Sequence, residues 1–252
     1  MQIAIVTGAS SGIGQSAAIQ IAKRGIGVVL TYNGNKRGAG ETVQGIERQG
    51  GSAVALPLNV GRIDTFPEFK AQVVDALSTK WDVSSFRYLV NNAGVGRMAM
   101  FEDMTEELFD ELSNVLFKGP YFLTQSLLPL MEDEGAIVNI GSNSSLPNVT
   151  SPGYSAYASM KGAVSVLTRY LAKEFAGRRI RVNCVAPGPT RTRFADDAFE
   201  RFPEVIPPLV AQTALGRLSG PDDVGKVIAF LLSEESAWIT AQTIEVSGGF
   251  NL

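Results

Sequence analysis

A short apolar run, Ile3-Ala4-Ile5-Val6, passes straight into Thr7-Gly8-Ala9-Ser10-Ser11-Gly12-Ile13-Gly14 and from there into an apolar helical pattern. A strand that turns through glycines into a helix is the opening unit of a parallel α/β sheet. Gly8 permits the tight turn, Gly12 lets backbone approach a pyrophosphate, and Gly14 lets the helix pack close to the sheet. The helix N-terminus adds amide donors and a positive dipole end. Ser10, Ser11 and Ile13 are therefore expected to join Gly8, Gly12 and Gly14 against a dinucleotide. The spacing is G-x-x-x-G-x-G rather than G-x-G-x-x-G, so the strand-to-helix context carries the reading, not the glycines alone.

The same rhythm continues along the chain. Strands are predicted at about 3–7, 28–32, 53–58, 88–91, 136–140, 180–185 and 243–246, with helices at about 13–24, 65–77, 106–131, 155–175 and 222–232. The strands read as continuous apolar runs, as expected when both faces of a parallel sheet are covered. The expectation is one α/β domain over 1–252, a Rossmann fold with a doubly wound sheet of about seven strands and helices on both faces. The segment 189–220 lacks this rhythm and is rich in proline and phenylalanine, which suits a substrate lid.

Composition removes whole classes of chemistry. The chain of 252 residues has no histidine, so Ser-His-Asp hydrolysis and HExxH zinc sites are excluded. A single cysteine, Cys184, allows no internal disulfide and no cysteine-rich metal site, which suits a reducing compartment. The net charge of -3 comes without a basic run, so neither nucleic acid nor membrane is an expected partner. With no signal-like or spanning segment at the start, a cytoplasmic location is expected.

The end of the second strand, Tyr32-Asn33-Gly34-Asn35-Lys36-Arg37, carries no carboxylate. An acid there would accept from a ribose diol and disfavour a 2′-phosphate. Its absence, with Lys36 and Arg37 close behind, predicts NADP(H) over NAD(H), with Tyr32 and Asn33 in contact. Further along, Tyr157 and Lys161 stand four apart at the start of a predicted helix and share one face. A phenol beside an ammonium is a candidate proton donor, since the positive charge favours the phenolate and would lower the phenol's pKa. Tyr154 has Ala158 at the same spacing and no such partner.

With these motifs placed, the chain resembles the classical short-chain dehydrogenases/reductases over Gln2 to about Gly249. The matches are the Thr7 to Gly14 run, Asn91-Asn92-Ala93-Gly94, Ile140-Gly141-Ser142, Tyr157 with Lys161, and Pro187-Gly188 with Thr192. The resemblance implies that Ser142 polarises a substrate carbonyl, Tyr157 gives it a proton, and Lys161 tunes the tyrosine and holds the nicotinamide ribose. It also implies that Asn91, Ala93 and Gly94 pack beside the adenine ribose and the central strand, Asn59 and Val60 touch adenine, and Pro187, Gly188, Thr190 and Thr192 hold the nicotinamide. A homotetramer built on the helices near 106–131 and 155–175 is implied as well.

Two departures matter. Leu116 stands where the family usually has an asparagine of the proton relay, and Asn114 is two residues off, about 200° around a regular helix. The loop after Ser142 is long, leaving Ser144 as a second candidate for the serine role. The closest flavour is the 3-oxoacyl-carrier-protein reductases. Arg178 suits an acidic carrier, but Glu132-Asp133-Glu134 opposes one. The expected substrate is a small free carbonyl compound or secondary alcohol; the alternatives are a carrier-protein reductase or a non-catalytic dinucleotide-binding regulator.

Overall fold

A computed structural model describes residues 1–252, the side chains of Ala195 and Asp196 excepted. The chain runs β1 (Ile3–Val6), α1 (Gly12–Ala22), β2 (Gly27–Tyr32), α2 (Lys36–Glu47), β3 (Ala53–Pro57), α3 (Phe66–Trp81) and β4 (Phe86–Asn91). It continues with α4 (Glu106–Ser113), α5 (Gly119–Leu127), β5 (Met131–Ile140), α6 (Ser155–Glu174) and β6 (Arg181–Pro187). The last elements are α7 (Phe194–Arg201), α8 (Ile206–Ala211), α9 (Pro221–Leu231) and β7 (Thr243–Val246). The strands form one seven-stranded sheet in the order β3-β2-β1-β4-β5-β6-β7, each pair parallel.

The apolar runs are continuous because successive side chains enter different cores. Ala4, Val6, Val28 and Leu30 pack with α1 and α9 on one face; Ile3, Ile5 and Val29 pack with α3 and α5 on the other. Chain order reverses between β1 and β4, so the loops after these two strands part and leave a crevice at the strands' C-terminal ends. That switch point is where open α/β sheets take their ligands.

Three elements differ from the sequence expectation. Helix α2 falls where no helix range was assigned, and Gly38, Gly40 and Gly45 lower its intrinsic propensity. Its start is fixed instead by Asn35, whose Oδ1 accepts from Gly38 N–H at 3.0 Å. The long helix foreseen at 106–131 is interrupted by a π-helical turn, Asn114–Lys118. Pro120 has no N–H to give the Leu116 carbonyl and would clash with it in a regular helix, so the turn widens and Gly119 N–H bonds Asn114 O. The segment 189–220 is not irregular throughout, since it contains α7 and α8. Its ends are clasped together, Arg191 N–H donating to Ser219 O at 2.8 Å and Ser219 N–H to Pro189 O at 3.1 Å. Among the described residues no helix is long and apolar enough to cross a membrane.

Candidate active site

The glycine turn is held from three sides. Gly8 has φ +65°, and a methyl added there would sit 2.8 Å from Ala93 Cα. Helix α1 comes so close at Gly14 that a methyl would run into the Gly8 carbonyl and the Asn92 amide. Asn92 Nδ2 donates to Thr7 O at 2.8 Å and Gly8 O at 3.1 Å, and the Thr7 hydroxyl accepts from the Asn92 and Ala93 amides. From the β2 side, Gly8 N–H donates to Thr31 Oγ1 at 3.2 Å and Thr42 Oγ1 donates to Ala9 O at 3.0 Å. Asn92, Thr31, Thr42 and Asn35 escaped the sequence reading as site residues. Asn92 and Asn35 carried a signal, their places inside the Asn91 to Gly94 motif and the Tyr32 to Arg37 run.

This cradle suits a dinucleotide. Ser11 precedes α1 without giving it a side-chain cap, and no acid stands in the first turn, so the first amides remain available to an anion. Opposite them Thr192 approaches Gly12, its Cγ2 3.2 Å from where a methyl on Gly12 would lie. The Thr190 hydroxyl donates to Gly188 O at 2.9 Å and fixes the start of this segment. Tyr32, Asn33 and Asn59 lie further out along the crevice, Asn59 Oδ1 accepting from Gly61 N–H at 2.9 Å, while Val60 is buried beside them. Lys36 and Arg37 are exposed at the start of α2, and Arg37 pairs with Glu41 at 2.8 Å. Asn91 is the last residue of β4. Buried in the sheet, it donates to Thr124 Oγ1 at 3.0 Å and Asn139 Oδ1 at 2.9 Å, tying β4 to α5 and β5.

Ser142, Tyr157 and Lys161 converge beside the cradle, all buried. Tyr154 and Phe194 stand edge-on to the Tyr157 ring at 6.0 and 5.9 Å. Burial pushes the Tyr157 phenol up to about 12, hydrogen bonding with Ser142 pulls it back, and Tyr154 raises it further. The expectation that the ammonium governs the phenol is thereby corrected for the protein alone. Lys161 Nζ donates to Ile140 O at 2.7 Å and lies 5.9 Å from the Tyr157 ring centroid, and its own pKa is brought down to about 8 by burial. Two buried groups of opposite charge tendency thus both move toward their neutral forms.

The departures resolve locally. Leu116 is buried with Leu112, Ala156 and Tyr157, so an apolar side chain fills the space behind the phenol. The π-helical turn does not return Asn114 to the site, because Asn114 and Val115 face Gly61. Ser144 sits behind Ser142 rather than in its place, and the neighbouring Asn143 side chain is buried with its Nδ2 unpartnered. Cys184 packs under Gly141 as a buried thiol. In the segment 189–220, Arg191 and Arg193 pair with Glu200 and Asp197, while Phe202 is exposed and Phe199, Ile206 and Leu209 are half-buried.

Known proteins resemble the chain over nearly its whole length. A family model described as enoyl-(acyl carrier protein) reductase matches residues 8–251. An uncharacterised oxidoreductase of Methylorubrum extorquens is 37% identical, with 98% of this chain and 97% of that protein covered. The 3-oxoacyl-[acyl-carrier-protein] reductase FabG of Staphylococcus aureus is 36% identical, with 98% and 96% covered. The angucycline C-6 ketoreductase LanV, crystallised with bound NADP, superposes with a TM-score of 0.93 at 34% identity over 98% of this chain and 95% of its own. A seven-stranded doubly wound sheet, a glycine turn at the switch point and these relatives over nearly the whole length make the chain a classical short-chain dehydrogenase/reductase, an NAD(P)-dependent oxidoreductase of carbonyl and alcohol groups.

Proposed function

We propose that the protein is an NADP(H)-dependent carbonyl reductase acting on a free, apolar ketone or its secondary alcohol, with 189–220 as the substrate lid. The observation that carries this reading is the buried Tyr157 hydroxyl, set beside Ser142 at the cradle and walled by Tyr154 and Phe194. The glycine turn, with Gly188, Thr190 and Thr192 across from it, would hold a nicotinamide dinucleotide, which when bound supplies the hydride. Ser142 orients the ketone oxygen by hydrogen bonding, and Tyr157 gives that oxygen its proton as negative charge grows there. Lys161, fixed on Ile140 O, keeps a cation within reach of the phenol. Phe194 and Tyr154 exclude water from the proton's path.

A carrier-protein thioester fits less well, although the likeness to FabG favours it. Arg178 donates to Asp133 Oδ1 at 2.7 Å and to the carbonyls of Leu128 and Met131, so it is engaged within its own surface. Arg179 pairs with Glu134 beside it. An acidic carrier would meet the carboxylates of Glu132, Asp133 and Glu134 at this face. A non-catalytic regulator needs a broken site, and Leu116 is the only departure that points there. Following nicotinamide absorbance with apolar ketones and with a carrier-protein thioester tests the reading. Reduction of the ketones is expected, and turnover of the thioester alone would overturn it.

The 2′-phosphate preference rests on the acid-free end of β2 and on Lys36 and Arg37. A Lys36→Glu/Arg37→Glu variant is expected to weaken NADPH binding by about 10–100-fold, the scale of charge-assisted bonds to phosphate, with little change for NADH. Equal loss for both dinucleotides in a fluorescence titration would refute a phosphate-specific role. Leu116→Asn is expected to raise kcat by restoring a polar relay behind Lys161. It should also lower the unfolding free energy by about 1–3 kcal/mol, because a carboxamide would be buried among Leu112, Ala156 and Tyr157. Turnover equal to the wild type would show that Leu116 costs the reaction nothing.

A further inference from the structure

The loop after β5 carries two hydroxyls bonded to each other, Ser142 and Ser144, and the reaction proposed above uses only the first. Ser142 caps the tight turn 143–145 by accepting from the Ser144 N–H at 3.2 Å. The Ser144 hydroxyl also donates to Ser142 Oγ, at 2.9 Å. Ser145 is engaged elsewhere, its hydroxyl donating to the Ser142 carbonyl at 2.7 Å.

A serine hydroxyl has one proton and two acceptor lone pairs. With both lone pairs of Ser142 Oγ taken by Ser144, its proton is all it can offer to a third group. We propose that Ser144 is a positioning residue for the reaction, its hydroxyl holding Ser142 as a donor toward the Tyr157 phenol and the ketone oxygen beside it. This rests on the carbonyl-reductase reading.

The donor direction matters because of what the alternative does. A Ser142 freed of one partner can turn and accept from the Tyr157 O–H. It would then hold the proton that the phenol must release, instead of stabilising the phenolate left behind. Hydrogen bonding with Ser142 is the influence that lowers the Tyr157 pKa against burial, so losing its donor character leaves the phenol harder to ionise. Two donors in series also polarise one another, which strengthens the bond that reaches the reacting oxygen. Turn capping alone does not account for the Ser144 hydroxyl, since the cap is made by its backbone N–H.

Ser144→Ala keeps that backbone amide and removes only the hydroxyl; Ser144→Thr keeps both. With NADPH and an apolar ketone that the wild type reduces, Ser144→Ala should lose about tenfold in kcat, one hydrogen bond to developing charge, with KM little changed. The alkaline limb of its kcat profile should move to higher pH, and Ser144→Thr should restore both kcat and the limb. Should the alanine variant not fold, Ser144→Gly also lacks the hydroxyl and takes its place. Wild-type kcat and pH limb in a folded hydroxyl-free variant would overturn the proposal. So would a folded threonine variant no better than the alanine one. A wild type that reduces no ketone would overturn the carbonyl-reductase reading itself, and this inference with it.

Discussion

Tyr157→Phe is expected to lower kcat for ketone reduction by about 10²–10⁴-fold, the contribution of a positioned general acid, while leaving dinucleotide affinity unchanged. The substitution removes one oxygen and keeps the ring. Its edge-on contacts with Tyr154 and Phe194 depend on the ring alone, so the walls of the site should persist. What disappears is the phenol hydrogen-bonded with Ser142, and without it the growing negative charge on the ketone oxygen has to draw its proton from elsewhere. Steady-state turnover reads the chemistry, and a fluorescence titration with NADPH reads the cradle. Unchanged turnover would remove Tyr157 from the mechanism. A loss of both would assign it to binding instead.

The direction of pH dependence follows from the same group. Reduction uses the protonated phenol, and burial holds its pKa up near about 12, so deprotonation of Tyr157 does not limit reduction near neutrality in the protein alone. Alcohol oxidation needs the phenolate and should speed up as pH rises. The sequence alone suggested the opposite shift, because Lys161 four residues on is visible in it. The rings of Tyr154 and Phe194 are brought up by the loop before α6 and by α7, and their burial of the phenol appears only when those parts of the chain meet.

The same contrast runs through the fold. The strands were legible because covering both faces of the sheet leaves an uninterrupted apolar record, as in Ile3 to Val6. The glycine turn was legible because Gly8 and Gly14 stand where backbone approaches backbone. Helix α2 left no such record, as its glycines argue against it locally. Gly38 is nonetheless required where α2 meets the Ser10 carbonyl and the Asn35 side chain, which would obstruct a methyl. The π-helical turn had one local sign, Pro120, and its consequence for Asn114 and Leu116 depended on which neighbours each would face. Ser142 and Ser144 were both readable as serines. Their order, one in front and one behind, is a property of the tight turn that begins between them.

The second large effect concerns stability, and it sets Lys161 against its own fold. Its ordinary pKa of 10.5 falls to about 8 in the folded protein, chiefly because burial disfavours the charged amine. Between these values the unfolded chain holds a proton that the folded protein does not, so this group makes stability rise with pH from about 8 toward 10.5. Below about 8 the folded protein carries the full cost of a buried ammonium, about 3 kcal/mol at roughly 1.4 kcal/mol per pH unit. Removing the bond from Nζ to Ile140 O, at 2.7 Å, costs a variant about 1 kcal/mol. Lys161→Met, apolar and of similar length, is therefore expected to stabilise the protein by about 2 kcal/mol at neutral pH. The gain should shrink as pH rises above 8. Tyr157 acts with the other sign, since its raised pKa makes stability fall as pH climbs from 10 toward 12, so the comparison belongs below pH 10. Cys184, the other titratable group against Lys161, has its thiol pushed up by burial and stays neutral at neutral pH. Urea unfolding of both proteins at neutral pH and again between pH 8 and 10 measures the difference. A variant less stable than the wild type at neutral pH would mean that the bond to Ile140 outweighs desolvation. A stabilised variant that has lost turnover would show that the fold carries this ammonium for the reaction and not for its own stability.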